Sequence, residues 1–455
     1  MNGFRLALMA ALLPSLFPVH AGSPQAVPTR VAATARQLAD AGIAPALVVA
    51  MVDDGRVSIA GYGKLPDGRP PDANTVFEIG SVTKTFTALL LVRQVRQGEA
   101  ALDTPVASWL PGWKIPSRDG KPITLGLLAE QYSGLPRVPV NLDAASLADP
   151  YARYDSRQLR AFLASYALPR DPGAKYEYSN VGIGLLGYAL ATHAGLGYGA
   201  LLKRDVLQPL GMDSTGVELT PALRARLAPG HGITGQPAGH WQWLDALAGA
   251  GAVLSDGHDM LRYLEANMGL AATPLTAAMK LAQQPRRDVG PLGRIGLAWM
   301  TTPTPDGPVV WHNGETGGYS SFVGFTADGR HGVVLLTNSA VAGSDLTRLG
   351  MAALSPRSPL PELQKAVRLP SSLLDDYVGR YALAQGFVLT VSHDGNGLHA
   401  RATGQDAFPL QASARDAFFA SAAGISIDFQ RDASGKVVAL VLRQGGQSRR
   451  APREP

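Results

Sequence analysis

A proline-rich segment divides the 455-residue chain into two regions with different sequence patterns. Pro356, Pro359, Pro361 and Pro370 interrupt residues 355–370, and this spacing is typical of an interdomain linker. Before the segment, β-like runs alternate with long helical runs, whereas after it short alternating strands are separated by Asp-Gly and Ser-Gly turns. The pattern predicts a mixed α/β domain followed by a small all-β barrel or sandwich.

The composition excludes several classes of protein. Hydrophobic residues make up 46% of the chain and charged residues 17%, which excludes a disordered or fibrous protein, and the length favours two globular units. The formal net charge is only +5 and no run of Lys and Arg occurs, so nucleic acid is not an expected partner. The absence of cysteine excludes disulfides, thiol nucleophiles and thiolate metal sites.

The first residues have the pattern of a cleavable signal peptide. Arg5 precedes a short apolar stretch, and a small-residue exit ends at Ala21. Pro14 and Pro18 interrupt this stretch, which is too short to span a bilayer. We therefore expect a periplasmic or secreted protein with no membrane span in the mature chain. The predicted organisation is a signal peptide (1–21), a mixed α/β domain (22–355), a proline-rich linker (356–370) and a small β-barrel domain (371–455).

The stretch "SVTK" places Ser81 and Lys84 at the start of a predicted helix that is otherwise apolar and ends at Gly98. A spacing of three residues puts both side chains on one helical face. A buried lysine loses its proton more readily, so Lys84 can accept the proton of Ser81 and turn its hydroxyl into a nucleophile. The alternative is an N-cap serine with a surface lysine, which is the more frequent meaning of an isolated S-x-x-K.

The stretch "YEYSN" supplies two further groups that an acyl-transfer site needs. Tyr178 offers a phenol that can share the lysine proton, or pass it to a leaving group, when a nearby ammonium stabilises its phenolate. The side-chain amide of Asn180 can donate to a substrate carbonyl. An isolated tyrosine of this kind is more often a half-buried packing residue.

The stretch "HNGETGGYSS" combines β-forming neighbours with glycine, which predicts an edge strand that a substrate backbone can approach at Gly314. His312 and Asn313 can meet a substrate carboxylate. The backbone N–H of Glu315, together with that of Ser81, can form an oxyanion hole. Taken alone, His312 is more often a structural hydrogen-bond partner, but the joint occurrence of three such motifs in one chain favours a catalytic site.

These motifs resemble the S-x-x-K, Y-x-N and K-T-G elements of the serine β-lactamase and DD-peptidase family, in particular its class C branch. The stretches "ITLGLLAEQYSGLP", "PGAKYEYSNVGIGLLG" and "PLGMDST" are also similar to segments that flank the sites of that branch. The resemblance covers residues 28–355 and implies an antiparallel sheet flanked by helices, with the site between the sheet and an all-helical region. The region after the linker resembles the lipocalin-like β-barrel appended to many chains of the branch.

Two positions depart from the class C pattern. His312 stands where the family motif has lysine, and a histidine near neutral pH carries only part of a charge, which leaves carboxylate recognition open. Arg137 and Val138 follow "SGLP", where class C β-lactamases have a glutamine that holds the side-chain amide of the β-lactam. These departures affect the expected substrate more than the expected fold.

Other chemistries have little support in the sequence. No G-x-S-x-G run, H-E-x-x-H motif or glycine-rich phosphate loop occurs. His231, His240 and His258 lack the spacing of metal ligands. The sequence therefore predicts neither a metal nor another cofactor.

The motifs together predict a serine acyl hydrolase that forms an acyl-enzyme on Ser81 and acts on β-lactams or on peptidoglycan peptides of the D-Ala-D-Ala type. Lys84 and Tyr178 complete the predicted catalytic set. The predicted substrate-binding residues are Asn180, His312, Asn313, Gly314 and Glu315. Two alternatives are an esterase that takes small acyl esters and a penicillin-binding module without turnover.

Overall fold

Two antiparallel sheets organise the chain. The computed structural model describes residues 26–142, 149–232, 235–361, 366–384, 386–395, 397–403, 407–420, 425–444 and 447–454. The predicted signal peptide (1–21) lies outside the described residues.

Helices and strands alternate before the linker, and strands dominate after it. The α-helices of the described residues are α1 (Thr29–Asp40), α2 (Thr83–Gln97), α3 (Leu125–Ala129), α4 (Ser156–Ser165), α5 (Asn180–His193), α6 (Tyr198–Leu202), α7 (Gln208–Leu210), α8 (Pro221–Arg224), α9 (Asp245–Ala248), α10 (Gly257–Met268), α11 (Thr276–Gln283), α12 (Gly343–Leu354) and α13 (Ser371–Leu374). The strands before the linker are β1 (Ala46–Asp53), β2 (Arg56–Gly63), β3 (Val76–Glu78), β4 (Ser117–Arg118), β5 (Lys121–Pro122), β6 (Gly230–His231), β7 (Pro237–Ala238), β8 (Leu254–Asp256), β9 (Arg287–Asp288), β10 (Arg294–Ile295), β11 (Met300–Thr302), β12 (Val309–Glu315), β13 (Ser320–Thr326) and β14 (His331–Thr337). The strands after the linker are β15 (Gly379–Ala384), β16 (Phe387–His393), β17 (Leu398–Ala402), β18 (Phe408–Ala414), β19 (Ala417–Ala420), β20 (Ile425–Arg431), β21 (Val437–Gln444) and β22 (Gln447–Pro452).

The first sheet has the strand order β2-β1-β14-β13-β12-β11-β10-β9, and neighbouring strands run antiparallel. Side chains alternate along β1, so that Leu47 and Val49 pack with α1 and α12, whereas Val48 and Ala50 pack with α2 and α10. Both faces of the sheet are therefore buried. This explains why β1 reads as a nearly continuous apolar run.

The helices α2, α3, α5 and α9 pack against one another in a mainly helical region. A 3₁₀ turn, Gly80–Val82, precedes α2 and contacts both β12 and β13. The start of α2 therefore lies where the sheet meets the helices. The mixed architecture confirms the fold class predicted from the sequence.

The second sheet forms the predicted small all-β domain. Its strands follow chain order from β15 to β22, and a bridge between Tyr381 and Arg453 joins the first of these strands to the last. The N–H of Glu454 also donates to the carbonyl of Arg380 at 2.8 Å. The sheet is thus a nearly closed barrel and not a sandwich, and it has a hydrophobic core of its own that includes the buried Ile427.

The first residues of the predicted linker are bound to the α/β domain. The guanidinium of Arg30 donates to the carbonyls of Pro356 at 2.6 Å and Ser358 at 2.9 Å. Asp306 pairs with Arg357 at 2.6 Å. The chain therefore leaves the surface of the α/β domain only after these contacts.

No single helix of the described residues is long and apolar enough to cross a membrane. One pair of helical segments, Asn180–His193 and Tyr198–Leu210, is long and apolar enough for a membrane span when the two are taken together, but the pair is strongly bent.

Candidate active site

Ser81 and Lys84 lie at the junction of the sheet and the helices. Ser81 is in the 3₁₀ turn, and Lys84 is in the first turn of α2, which ends at Gly98 in the left-handed conformation as the sequence predicts. The side chain of Lys84 is 0% exposed. Its Nζ lies 2.8 Å from Oγ of Ser81 and donates to the carbonyl of Ala250 at 2.7 Å. The sequence-predicted pair is therefore in direct contact.

Burial makes Lys84 a base. Removal from water lowers the pKa of Lys84 well below its ordinary value, and the nearby positive charge of Arg137 lowers it further. Among the described residues, no carboxylate forms an ion pair with Lys84. A neutral amine has a lone pair that can accept the proton of Ser81.

Tyr178 completes this cluster from the segment before α5. Its hydroxyl hydrogen-bonds with the side chain of Ser81, and Nζ of Lys84 lies 4.9 Å from the centre of its ring. Burial raises the pKa of Tyr178 above its ordinary value. Burial therefore favours the neutral phenol of Tyr178.

Two loops that are hydrogen-bonded to each other position Tyr178. The backbone N–H of Glu177 donates to the backbone carbonyl of Gln131 at 2.9 Å. The backbone N–H of Ser179 donates to the side-chain oxygen of Gln131 at 2.7 Å. The hydroxyl of Ser179 donates to the carbonyl of Pro136 at 2.6 Å. Gln131 has a φ of +63°, which these bonds help to hold although the residue is not glycine.

Asn180 is the first residue of α5. Its amide Nδ2 donates to the hydroxyl of Tyr151 at 3.3 Å. Its Oδ1 is buried and has no hydrogen-bond partner in the described part of the chain. An unpaired buried polar atom is costly, so this position favours a polar substrate group.

The "HNGE" stretch forms the end of β12. This strand pairs with β13 as far as Glu315, but it pairs with β11 only as far as Trp311. From His312 onward, one side of β12 has no strand partner among the residues that the structure describes. The prediction of an edge strand is therefore wrong. β12 is an interior strand of the sheet, and among the described residues only its final residues, from His312 onward, lack a strand partner on one side.

Two glycines allow β12 to approach the turn that carries Ser81. A Cβ atom added to Gly314 would lie 2.0 Å from the carbonyl oxygen of Ile79. A Cβ atom added to Gly80, which has a φ of +49°, would lie 2.6 Å from the backbone nitrogen of Glu315. Only glycine fits at both positions. The close approach brings the N–H of Glu315 next to the turn of Ser81.

His312 is buried and uncharged. The residue is 5% exposed, and its Nδ1 donates to the carbonyl of Asn313 at 2.5 Å. Burial, together with the proximity of Lys84, lowers the pKa of His312 to about 3. The partial charge expected for an ordinary histidine is therefore missing at pH 7, and His312 can contribute only hydrogen bonds.

Replacing His312 with Asn should reduce the loss of stability in acid. The pKa of His312 is about 3 in the folded protein and about 6.5 in an unfolded chain, so its contribution is fully present above pH 6.5 and is lost as the pH falls toward 3. Between pH 7 and pH 4, the wild type should lose roughly 3 kcal/mol more than His312→Asn in free energy of unfolding. Urea unfolding at both pH values measures this difference, and equal losses would contradict the neutral state of His312.

All the sequence-predicted site residues except Lys84 line one cavity of about 610 Å³, and Lys84 lies behind Ser81. The structure adds residues to this wall that sequence reasoning did not select. These are Gln131, Arg137, Tyr151 and Trp241, among others. Of these four residues, only Arg137 has a signal in the sequence, through its place after "SGLP". The aromatic residues resemble ordinary packing residues.

An aromatic wall closes the cavity near Asn180. Tyr151 stacks on Trp243 with ring centres 3.9 Å apart, and Trp241 meets Tyr151 edge-on at 5.5 Å. The buried carboxylate of Glu78 accepts the backbone N–H of Trp241 at 3.0 Å and contacts Nδ1 of His240 at 2.7 Å. Glu78 thus ties the backbone of Trp241 and the ring of His240 together behind this wall.

One group of described residues has donors spaced for a metal ion. Asp53, Asp54 and His331 place their ligand atoms within 4.8 Å of one another. Asp54 already pairs with Arg330, and Asp53 with His331. None of these residues lines the cavity.

Comparison with known proteins identifies the family of the first region. The β-lactamase family model matches residues 31–355, which carry all of the motifs described above. The chain belongs to the β-lactamase family. It is a serine hydrolase of the β-lactamase and DD-peptidase type. A second family model, a domain of unknown function (DUF3471), matches residues 363–451.

Named members of the β-lactamase family cover most of the chain. Penicillin-binding protein 4* of Bacillus subtilis is 25% identical over 397 residues, which are 81% of this chain and 86% of that protein. The D-alanyl-D-alanine-carboxypeptidase/endopeptidase AmpH of Escherichia coli is 30% identical over 270 residues, 58% of this chain and 68% of that protein. The crystal structure of a β-lactamase/D-alanine carboxypeptidase from Pseudomonas syringae has a TM-score of 0.63 and 25% identity, and the match covers 73% of this chain and 99% of that one.

Proposed function

We propose that this serine hydrolase acts on peptidoglycan peptides of the D-Ala-D-Ala type or on β-lactams, through an acyl-enzyme on Ser81. The observation that carries the proposal is the 2.8 Å contact between Ser81 and a fully buried Lys84, whose pKa is held well below its ordinary value by that burial. A lysine in this state serves as a base for the adjacent hydroxyl. A module that binds without a covalent bond needs no such base, whereas a penicillin-binding module that is acylated without turnover would need it as well.

Acylation begins when Lys84 accepts the proton of Ser81 and Oγ attacks the substrate carbonyl. The backbone N–H groups of Ser81 and Glu315 stabilise the oxyanion that forms. Tyr178, which is hydrogen-bonded to Ser81, relays the proton from Lys84 to the leaving nitrogen or oxygen. The bond to the leaving group then breaks, and the acyl group stays on Ser81.

Deacylation uses the same groups in the reverse order of proton transfer. Lys84 and Tyr178 are again neutral after the leaving group has taken the proton. They accept a proton from an attacking water molecule and return one to Oγ of Ser81. Asn180 holds the acyl part through its side-chain amide, and the free side of β12 from His312 to Glu315 aligns the substrate backbone.

The relatives support the substrate class. The names of the relatives include a D-alanyl-D-alanine-carboxypeptidase/endopeptidase and a penicillin-binding protein. An esterase is the second candidate, and the neutral state of His312 favours it, because β12 then offers no positive charge to a substrate carboxylate. Both candidates require the same acyl-enzyme.

A mass-spectrometric time course separates the candidates. The purified protein is mixed with a penicillin, a D-Ala-D-Ala peptide and a short p-nitrophenyl ester in separate reactions, and both products and protein mass are followed. Release of D-alanine or of penicilloate supports the first candidate. Turnover of the ester alone supports the esterase, and no acylation by any of the three contradicts the proposal.

We also propose that the chain is exported to the periplasm or secreted, since residues 1–21 have the composition of a signal peptide. The domain limits 22–355, 356–370 and 371–455 are proposals in the same sense. N-terminal sequencing of the protein recovered from the medium or periplasm tests export, and an intact N-terminus on the recovered protein would contradict cleavage after residue 21.

Truncation after Pro361 should leave ester hydrolysis within about tenfold of the full chain. No described residue of the barrel lines the cavity, and the barrel has its own hydrophobic core. The truncated chain keeps the contacts of Arg30 with Pro356 and Ser358, which hold its new end. Measurement of kcat/KM and of the circular dichroism melt checks this. Complete loss of activity in a folded fragment would show that the barrel completes the site.

A further inference from the structure

Arg137 lies in the wall of the cavity and is anchored through its backbone. The N–H of Asn180 donates to the carbonyl of Arg137 at 2.8 Å, which ties the residue to the start of α5. The central carbon of its guanidinium lies 5.1 Å from the centre of the Tyr178 ring. A cation over an aromatic face is attracted to it. The charge is thus held above the group that hydrogen-bonds with Ser81.

Among the described residues, the N–H donors of the Arg137 guanidinium have no acceptor. Within the described part of the chain, no residue forms an ion pair or a side-chain hydrogen bond with it. Its charge nevertheless acts on its neighbours in the cavity. Burial lowers the pKa of Lys84 and Arg137 lowers it further, whereas burial raises the pKa of Tyr178 and Glu315 and Arg137 opposes that rise. A guanidinium stays charged at all relevant pH values and presents a planar fork of donors that fits a carboxylate.

Strand β12 offers no positive charge to a substrate carboxylate. His312 is neutral at pH 7, as shown by its burial and lowered pKa. Glu315 on the same strand is an acid, and its carboxylate would repel a substrate carboxylate placed beside it. Among the described residues that line the cavity, Arg137 is therefore the one fixed positive charge that a substrate carboxylate can meet.

We propose that Arg137 binds a carboxylate of the substrate and thereby makes the enzyme selective for acyl donors that carry one. The proposal rests on the proposed acyl-hydrolase function. The carboxylate belongs either to the acyl part or to the leaving group, and both present the same pair of oxygens to the guanidinium fork.

The test uses two matched pairs of substrates. The first pair is 4-nitrophenyl hydrogen glutarate and its neutral amide, 4-nitrophenyl glutaramate, which differ only in the acyl part. The second pair is N-acetyl-D-alanyl-D-alanine and its C-terminal amide, which differ only in the leaving group. The wild type should prefer the carboxylate member of at least one pair. That pair then identifies the half of the substrate that Arg137 contacts.

Arg137→Gln should lower the carboxylate-to-neutral ratio of kcat/KM for the preferred pair by about 10- to 100-fold, the range of a lost charge-assisted hydrogen bond. Arg137→Lys keeps the charge without the fork and should lower the ratio less. The ratio is the correct measure, because a change in the basicity of Lys84 affects both members of a pair equally. Arg96 lies about 20 Å along α2 from the first residue of that helix and does not line the cavity. Arg96→Gln therefore also removes one positive charge but should leave the ratio unchanged.

The outcomes separate this inference from the function on which it rests. Equal kcat/KM for both members of both pairs in the wild type overturns the role of Arg137 without any variant. A ratio unchanged in both Arg137→Gln and Arg137→Lys also overturns it, while continued turnover leaves the acyl-hydrolase function intact. Failure of the wild type to hydrolyse or be acylated by any of the four substrates overturns both.

Discussion

Ser81→Ala is expected to lower kcat/KM for every accepted acyl donor by at least about 10⁴-fold. Its hydroxyl is the group that Lys84 contacts at 2.8 Å and that Tyr178 hydrogen-bonds, so its removal leaves the cavity without the proposed nucleophile. Steady-state kinetics with a p-nitrophenyl ester and a penicillin measure the loss.

The control for Ser81→Ala is a second serine replacement. Ser165 lies on the surface at the end of α4, where its hydroxyl bonds only to backbone carbonyls of its own helix. Ser165→Ala should therefore retain wild-type kinetics. Thermal melts of both variants should remain close to that of the wild type. Substantial activity in a folded Ser81→Ala variant would contradict the mechanism.

Lys84→Met is expected to lower kcat/KM by about 10³- to 10⁵-fold while the protein remains folded. Methionine fills most of the same space without a base. The carbonyl of Ala250 loses its donor, which costs roughly 1 to 3 kcal/mol, but the cost of burying the amine disappears as well. The free energy of unfolding in urea should therefore change little compared with the loss of activity.

A second variant tests whether the charge of Lys84 or its basicity matters. Lys84→Arg places a guanidinium that cannot lose its proton, so it should be as inactive as Lys84→Met if a neutral amine is needed. Lys203 is an exposed lysine, and Lys203→Met serves as the control with unchanged activity. Retention of activity in Lys84→Arg would show that Lys84 acts by charge and not as a base.

The sequence carries most of the information on the fold. The helix of residues 83–97 with its stop at Gly98, the mixed region before the linker and the strand-rich region after it follow from local patterns of polarity and turn residues. The distinction between a barrel and a sandwich does not follow from local patterns, because it depends on whether β15 contacts β22. Such a contact between distant segments leaves no local periodicity.

The candidate site was predictable in its residue types but not in its charges. The motifs identify Ser81, Lys84, Tyr178 and His312, and the structure brings these residues together. The neutral state of His312 depends on burial by several elements that are remote in sequence. Spacing along the chain contains no information on that burial.

The importance of Arg137 was hidden for a related reason. In the sequence it marks the absence of an expected glutamine, and only the structure shows its guanidinium over the ring of Tyr178. The close approach of Gly80 to Glu315 is equally invisible, since these positions are far apart in the chain. Contacts of this kind join residues that are remote in sequence, so the motifs predict the reaction type but not the substrate.

Catalysis through an ester bond to Ser81 is tested by locating that bond during turnover. The protein is quenched in acid during turnover of a penicillin, its intact mass is measured, and the adduct is located by fragmentation of proteolytic peptides. We predict a single addition of the intact penicillin mass on the hydroxyl of Ser81, and no addition to Ser81→Ala. An adduct on another residue, or an equal adduct in Ser81→Ala, would contradict an acyl-enzyme on Ser81.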